Sequence, residues 1–152
     1  MIGILTTFLV SMVPVIELRG AIPIGVAAGV PLWQAILVSI IGNMVPVPLI
    51  ILFVKKVFAW MRTKSDWLNA FVEKMEAKAE KNVDKVTRYE FWGLFLFVAI
   101  PLPGTGAWTG SLVAALLDMK LKKAVPPIYL GILGAAVIIS FVTYGAWRVF
   151  TG

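Results

Sequence analysis

The sequence predicts an all-α integral membrane protein of two inverted repeats, each a re-entrant helical hairpin followed by a transmembrane helix, joined by a cytoplasmic amphipathic helix. Three observations predict it. The 152 residues are 60% hydrophobic and only 14% charged, with a mean hydropathy of +0.92, too apolar for a soluble domain of this length. Two hydrophobic stretches, VPVIELRGAIP at 13–23 and IPLPGTGAWTG at 100–110, are broken by proline and glycine. Basic residues cluster beside the apolar runs, where positive-inside asymmetry puts them on the cytoplasmic side.

Taken in order, residues 1–30 are the first hairpin. Its apolar pieces, 1–13 and 22–30, are each about half the ~20 residues a spanning helix needs. The break is expected over 14–23, because Pro14 and Pro23 lack an amide donor and disfavour helix just before them. MIGILTTFLV has no basic leader or cleavage site and reads as a mature segment. Residues 31–54 are an uninterrupted apolar span, with a small and polar stripe of Ser39, Gly42 and Asn43, and with Pro46 and Pro48 placed to kink it. Lys55 and Lys56 close it. Residues 55–90 carry nine basic and six acidic side chains. There Trp60, Trp67, Phe71, Met75, Ala79, Val83 and Val86 recur at helical spacing, as in a helix lying on a membrane surface, with Ser65 or Asp66 as N-cap. Residues 91–119 are the second hairpin, turning at Pro101–Gly106 and returning to the side it left. Otherwise Lys120, Lys122 and Lys123 would lie outside. Residues 124–147 are the last span, with Pro126 and Pro127 at its start.

The halves align weakly when Pro14 is set on Pro101: Glu17 falls on Gly104 and Arg19 on Gly106. With two extra residues in the second copy, Gly42 meets Gly131. Because the first span runs inward and the last outward, the repeats are inverted, a transporter design with its site at the repeat interface.

The chain has no histidine and no cysteine, which excludes Cys/His metal sites, thiol nucleophiles and histidine bases. No cofactor or metal is expected. The net charge of +6 accompanies hydrophobic segments rather than a soluble aromatic platform, so membrane lipids, not nucleic acid, are the expected partners. One buried carboxylate without a second acid offers little for acid/base catalysis, so no enzyme is expected. Two spans and two hairpins bury little protein against protein, which predicts a homodimer or larger assembly in the inner membrane.

Charge at hydrocarbon depth costs ~2.5–3.5 kcal/mol per residue, which makes Glu17 and Arg19 a functional site by default. Each second half-helix presents unpaired amides near the membrane middle, around Gly20 and around Gly106 to Thr109. These ends and Arg19 suit an anion, with Gly104 and Gly106 allowing close approach. Thr105, Thr109 and Ser111 offer hydroxyls, and Trp108 a wall. Glu17 is the one acid available to carry a proton. Asn43, Pro14, Pro23, Pro101 and Pro103 complete the framework.

VPVIELRGAIPIG and PLPGTGAWTG resemble the small multidrug export protein family over nearly the whole chain, a family itself similar to the DedA/VTT superfamily of lipid scramblases and undecaprenyl phosphate translocases. The resemblance implies two re-entrant hairpins, with Glu17 as the acid closing the first proline motif and Pro103-Gly104 as the Pro-Gly of the second. Thr105 and Gly106 stand where DedA proteins have arginines. The expectation is a transporter of an anionic lipid head group, a polyprenyl phosphate or phospholipid, with Arg19 binding and Glu17 coupling to protons. The alternatives are a proton-coupled exporter of cationic amphipathic drugs and a non-transporting scaffold.

Overall fold

The computed structural model describes every residue except Pro103, and all side chains but those of Lys85, Tyr89 and Glu90. The described residues form seven helices: α1 (Ile2–Met12), α2 (Glu17–Ala27), α3 (Leu32–Met44), α4 (Pro46–Arg62), α5 (Asp66–Ala99), α6 (Ala107–Leu116) and α7 (Leu121–Thr151). Two stretches are long and apolar enough to cross a membrane, Leu32–Arg62 and Leu121–Thr151, of 31 residues each. At 1.5 Å per residue each reaches about 46 Å. Both outlast the expected spans of 31–54 and 124–147. Pro126 and Pro127, expected at the start of the last span, lie inside α7, which begins at Leu121.

Leu32–Arg62 is interrupted only at Val45, whose φ −58° and ψ −48° are helical. The interruption is one of hydrogen bonds, because Pro46 and Pro48 cannot donate to the carbonyls of Gly42 and Met44. The Tyr129 hydroxyl of α7 donates to the Met44 carbonyl at 3.2 Å.

The two long stretches run antiparallel. Lys55, near the end of the first, pairs with Asp118, just before the second. At the other end Pro31 and Leu32 share a cleft with Thr143, Tyr144 and Trp147.

Two short hairpins pack on this pair, and their joints match. α1 and α5 both end in an extended residue, Val13 at φ −74°, ψ 130° and Ile100 at φ −78°, ψ 119°. α2 and α6 end in the same Schellman turn: Gly29 N–H bonds Val26 O and Val30 N–H bonds Gly25 O, while Asp118 N–H bonds Ala115 O and Met119 N–H bonds Ala114 O. The left-handed positions are Gly29 (φ 83°) and Asp118 (φ 53°). Glycines bring the next helices into backbone contact. A Cβ on Gly42 would lie 2.7 Å from the Phe8 carbonyl oxygen, and one on Gly131 2.9 Å from that of Phe95.

The first break is shorter than expected. Only 13–16 is non-helical, and Gly20 and Pro23 lie within α2. The second hairpin begins without a boundary, since α5 runs from the polar section straight through to Ala99. Ser65 is its N-cap, accepting from Leu68 N–H. A straight helix would hold Lys78 and Ile100 about 33 Å apart. Yet the Lys78 Cε lies 3.4 Å from where a Gly104 Cβ would stand, and Thr105 Oγ1 is bonded to the Ile100 carbonyl. α5 therefore bends back on itself, with Gly93, its one glycine, lining the cleft inside the bend. The stretch expected to lie on a membrane surface thus packs in part against the protein. Val72, Ala79 and Val86 are fully buried, and Ala79 and Val86 join the core of Leu18, Ile22, Leu94, Leu112, Ile128 and Ile132. The later part of the amphipathic stripe, from Met75 to Val86, packs on the protein's own body, while Trp60, Trp67 and Phe71 remain exposed.

Candidate functional site

The tips of the two hairpins meet, and charges at the start of α2 serve the ends of α5 and α6. Val15 (φ 78°) and Glu17 (φ 51°) adopt left-handed backbone on either side of Ile16, and Glu17 opens α2. Its side chain is only 3% exposed. The carboxylate crosses to the start of α6, accepting the Trp108 amide at 2.9 Å and the Ala107 amide at 3.3 Å. It thus caps a helix to which it does not belong, at the positive end of that helix's dipole. Gly106 makes room. Its φ is 120°, and a Cβ there would lie 2.4 Å from Glu17 Oε2.

Arg19, two residues on, serves the opposite pole. Its guanidinium donates to the Leu102 carbonyl at 2.8 Å, the Ile100 carbonyl at 3.3 Å and Thr105 Oγ1 at 2.9 Å. These carbonyls follow the C-terminus of α5, where a cation is favoured. Trp108 returns the service, its Nε1–H donating to the Met12 carbonyl at the end of α1, 2.9 Å away. Lys78 is the unexpected member, a cation of the polar arm within electrostatic range of Glu17.

The structure thus brings Glu17, Arg19, Gly104, Thr105, Gly106 and Trp108 together and leaves others aside. Thr109 is buried within α6, and the Ser111 hydroxyl donates to its own helix at Ala107 O. Gly20 packs against Ile16, Pro14 is exposed at the first tip, and Pro101 is half-buried in the second. Pro103 lies outside the described residues. Asn43 and Ser39 are buried on α3, and among the described residues Asn43 Oδ1 and Ser39 Oγ have no partner.

In this structure the Ala107 and Trp108 amides hold the protein's own carboxylate, and Arg19 is engaged by the Ile100 and Leu102 carbonyls and Thr105 Oγ1. Sequence reasoning missed both engagements, together with Lys78 and the carbonyls of Met12, Ile100 and Leu102, though it marked the amides around Gly106 to Thr109. A residue capping a helix 90 positions away leaves no local signature.

A family model described as "Putative small multi-drug export protein" matches residues 17–138. The chain belongs to this family. Its matched stretch begins at Glu17 and includes Arg19, Lys78 and Trp108, so the whole charged constellation lies within the small multi-drug export match. With the two long apolar stretches, this makes the chain a membrane protein of an export family. Comparison with curated proteins and with solved structures gave no match.

Proposed function

We propose that the protein is a small exporter, not an enzyme, built as two inverted repeats whose re-entrant hairpin tips meet inside the bilayer, with Glu17 as a proton-operated latch between them. The carrying observation is the buried Glu17 carboxylate on the Ala107 and Trp108 amides. Charge-assisted bonds of this kind are roughly twice as strong as neutral ones. Protonation removes the charge and with it the attraction to the α6 dipole, so the tips are free to part. Each proton taken or released at Glu17 then opens or closes the junction.

Support for inverted repeats comes from the matched joints. Residue n corresponds to n + 87 through α1, pairing Phe8 with Phe95 and Val13 with Ile100. It corresponds to n + 89 from α2 onward, pairing Gly29 with Asp118 and Gly42 with Gly131. The two extra residues then fall in the second tip, which revises the first alignment: Glu17 corresponds to Gly106 and Arg19 to Trp108. Gly106 abuts the Glu17 carboxylate, and Arg19 and Trp108 each donate to the end of a helix in the other hairpin. Reciprocal contacts between equivalent residues are what a pseudo-two-fold axis produces. The antiparallel spans favour an axis in the membrane plane. α1 and α2, of 11 residues each, rise about 16 Å, half of a ~30 Å hydrocarbon core, which supports tips at mid-depth. On this reading Lys55, Lys56 and Lys120 to Lys123 share the cytoplasmic end of an inner-membrane protein.

The proposed cargo is an amphipathic compound. A cavity of about 390 Å³ adjoins the second tip, with Leu96, Phe97, Ile100 and Leu102 as apolar walls and Asp84 and Arg88 as charged ones. Such a mixture holds a drug-sized molecule with a charged end. A lipid phosphate carried as in DedA proteins would first have to displace Glu17 and Arg19 from their present partners. The test is dye movement in proteoliposomes. A lipophilic cationic dye should move under a pH gradient with wild-type protein, and Glu17→Gln should abolish that movement while remaining folded. If wild type matches empty liposomes, or Glu17→Gln matches wild type, the latch is wrong.

A further inference from the structure

The first hairpin tip is incomplete in one chain. Val15 is 83% exposed and holds a left-handed φ of 78°, a strained conformation for a β-branched side chain. Among the described residues no donor reaches the Pro14 or Val15 carbonyl, and no acceptor meets the Val15 amide. This matters because of depth, a step that rests on the half-depth hairpins proposed above. Irregular backbone within the hydrocarbon layer is tolerated only where protein covers it or water reaches it, and each unsatisfied group facing lipid costs several kcal/mol.

We infer that a second copy of this chain covers the tip, in a two-fold dimer that places Val15 of one copy against Val15 of the other. The surface is self-complementary in the two ways such an interface demands. Donor and acceptors lie in one short strip, so an amide at Val15 on each copy can reach a carbonyl of Pro14 or Val15 on its partner. The adjoining face is uncharged and apolar, with Leu5, Leu9 and Val13 exposed one helical turn apart along α1. The second tip needs no such cover, since Arg19 and Thr105 meet its carbonyls and the folded arm of α5 lies over it.

The chain has no cysteine, so single replacements report without background. The full-length protein would carry Val15→Cys, Leu9→Cys or, as a control on the outer face of α7, Phe141→Cys. In membranes under mild oxidation, Val15→Cys and Leu9→Cys should give a disulfide-linked dimer and Phe141→Cys a monomer. The second α1 position guards against a tip variant that fails to fold. A bimane label at position 15, quenched by lipids brominated at different depths, separates the ways to fail. Quenching by mid-chain bromines without cross-linking means that lipid covers the tip, which overturns the dimer and leaves the half-depth hairpin standing. Labelling of Val15→Cys by a membrane-impermeant maleimide, with no quenching and no cross-link, puts water at the tip and likewise overturns it. Quenching only by head-group bromines removes the half-depth reading itself.

Discussion

The two hairpin tips, both broken by proline, end in opposite conditions. The second, at 100–106, has its Ile100 and Leu102 carbonyls taken by Arg19 and Thr105, the Ala107 and Trp108 amides that follow by Glu17, and Lys78 beside Gly104. The first, at 13–16, receives one bond from the other hairpin, Trp108 Nε1–H to Met12 O. The charged groups that bond across, Glu17 and Arg19, come from the first hairpin and are spent on the second. One tip is clasped and the other is bare, so any rearrangement that parts them must release the second tip, whose bonds hang on Glu17 and Arg19.

The sharpest way to break that contrast is to remove the clasp. Glu17→Ala strands two amides at the α6 terminus in a buried site and should cost about 3 kcal/mol in stability. Gly106→Ala should cost a similar ~3 kcal/mol, from left-handed strain and from the clash with the carboxylate. The two must not add. With the carboxylate gone the alanine has room, so the double variant should be more stable than the sum of the singles by at least ~1 kcal/mol. Reversible unfolding in mixed micelles measures all three. Strict additivity would mean that Gly106 does not face Glu17.

The next prediction compares the equivalent caps. Arg19→Met removes a charged donor from three acceptors and should cost about 2 kcal/mol, whereas Trp108→Phe removes one neutral bond and should cost about 1 kcal/mol. Hydrogen exchange locates the damage. Arg19→Met should loosen the last turn of α5, and Trp108→Phe that of α1. Loosening of each hairpin by its own residue would dissolve the reciprocal arrangement.

How much of this was legible in sequence follows from the range of each interaction. The helices, the broken stretches, and the placing of Glu17 and Arg19 at the first break were legible, because hydropathy and proline placement act locally. That the Glu17 carboxylate fills the α6 terminus was not, since nothing near Glu17 in sequence names the helix it caps. The bend in α5 was hidden for a related reason. Its polar arm has the pattern of a surface helix, and only the packing of Val72, Ala79 and Val86 decides that its apolar face meets protein. The proposed register places the two extra residues in the second tip and pairs Arg19 with Trp108, where the sequence alignment alone paired it with Gly106.

The smallest expected effect probes the first long stretch, where the two halves also differ. Gly42 and Met44 lose their amide partners to Pro46 and Pro48, and the Tyr129 hydroxyl fills the second gap. α7 has no proline at the corresponding Ala135 and Val137, so its ladder there needs no outside donor. Tyr129→Phe should therefore cost about 1 kcal/mol. The same change in a Pro48→Ala background should cost less than ~0.5 kcal/mol, because the restored amide serves Met44 from within its own helix. An undiminished cost would mean that Tyr129 acts through packing of its ring. The first stretch would then cross the membrane with an unserved carbonyl, which an apolar surround does not tolerate.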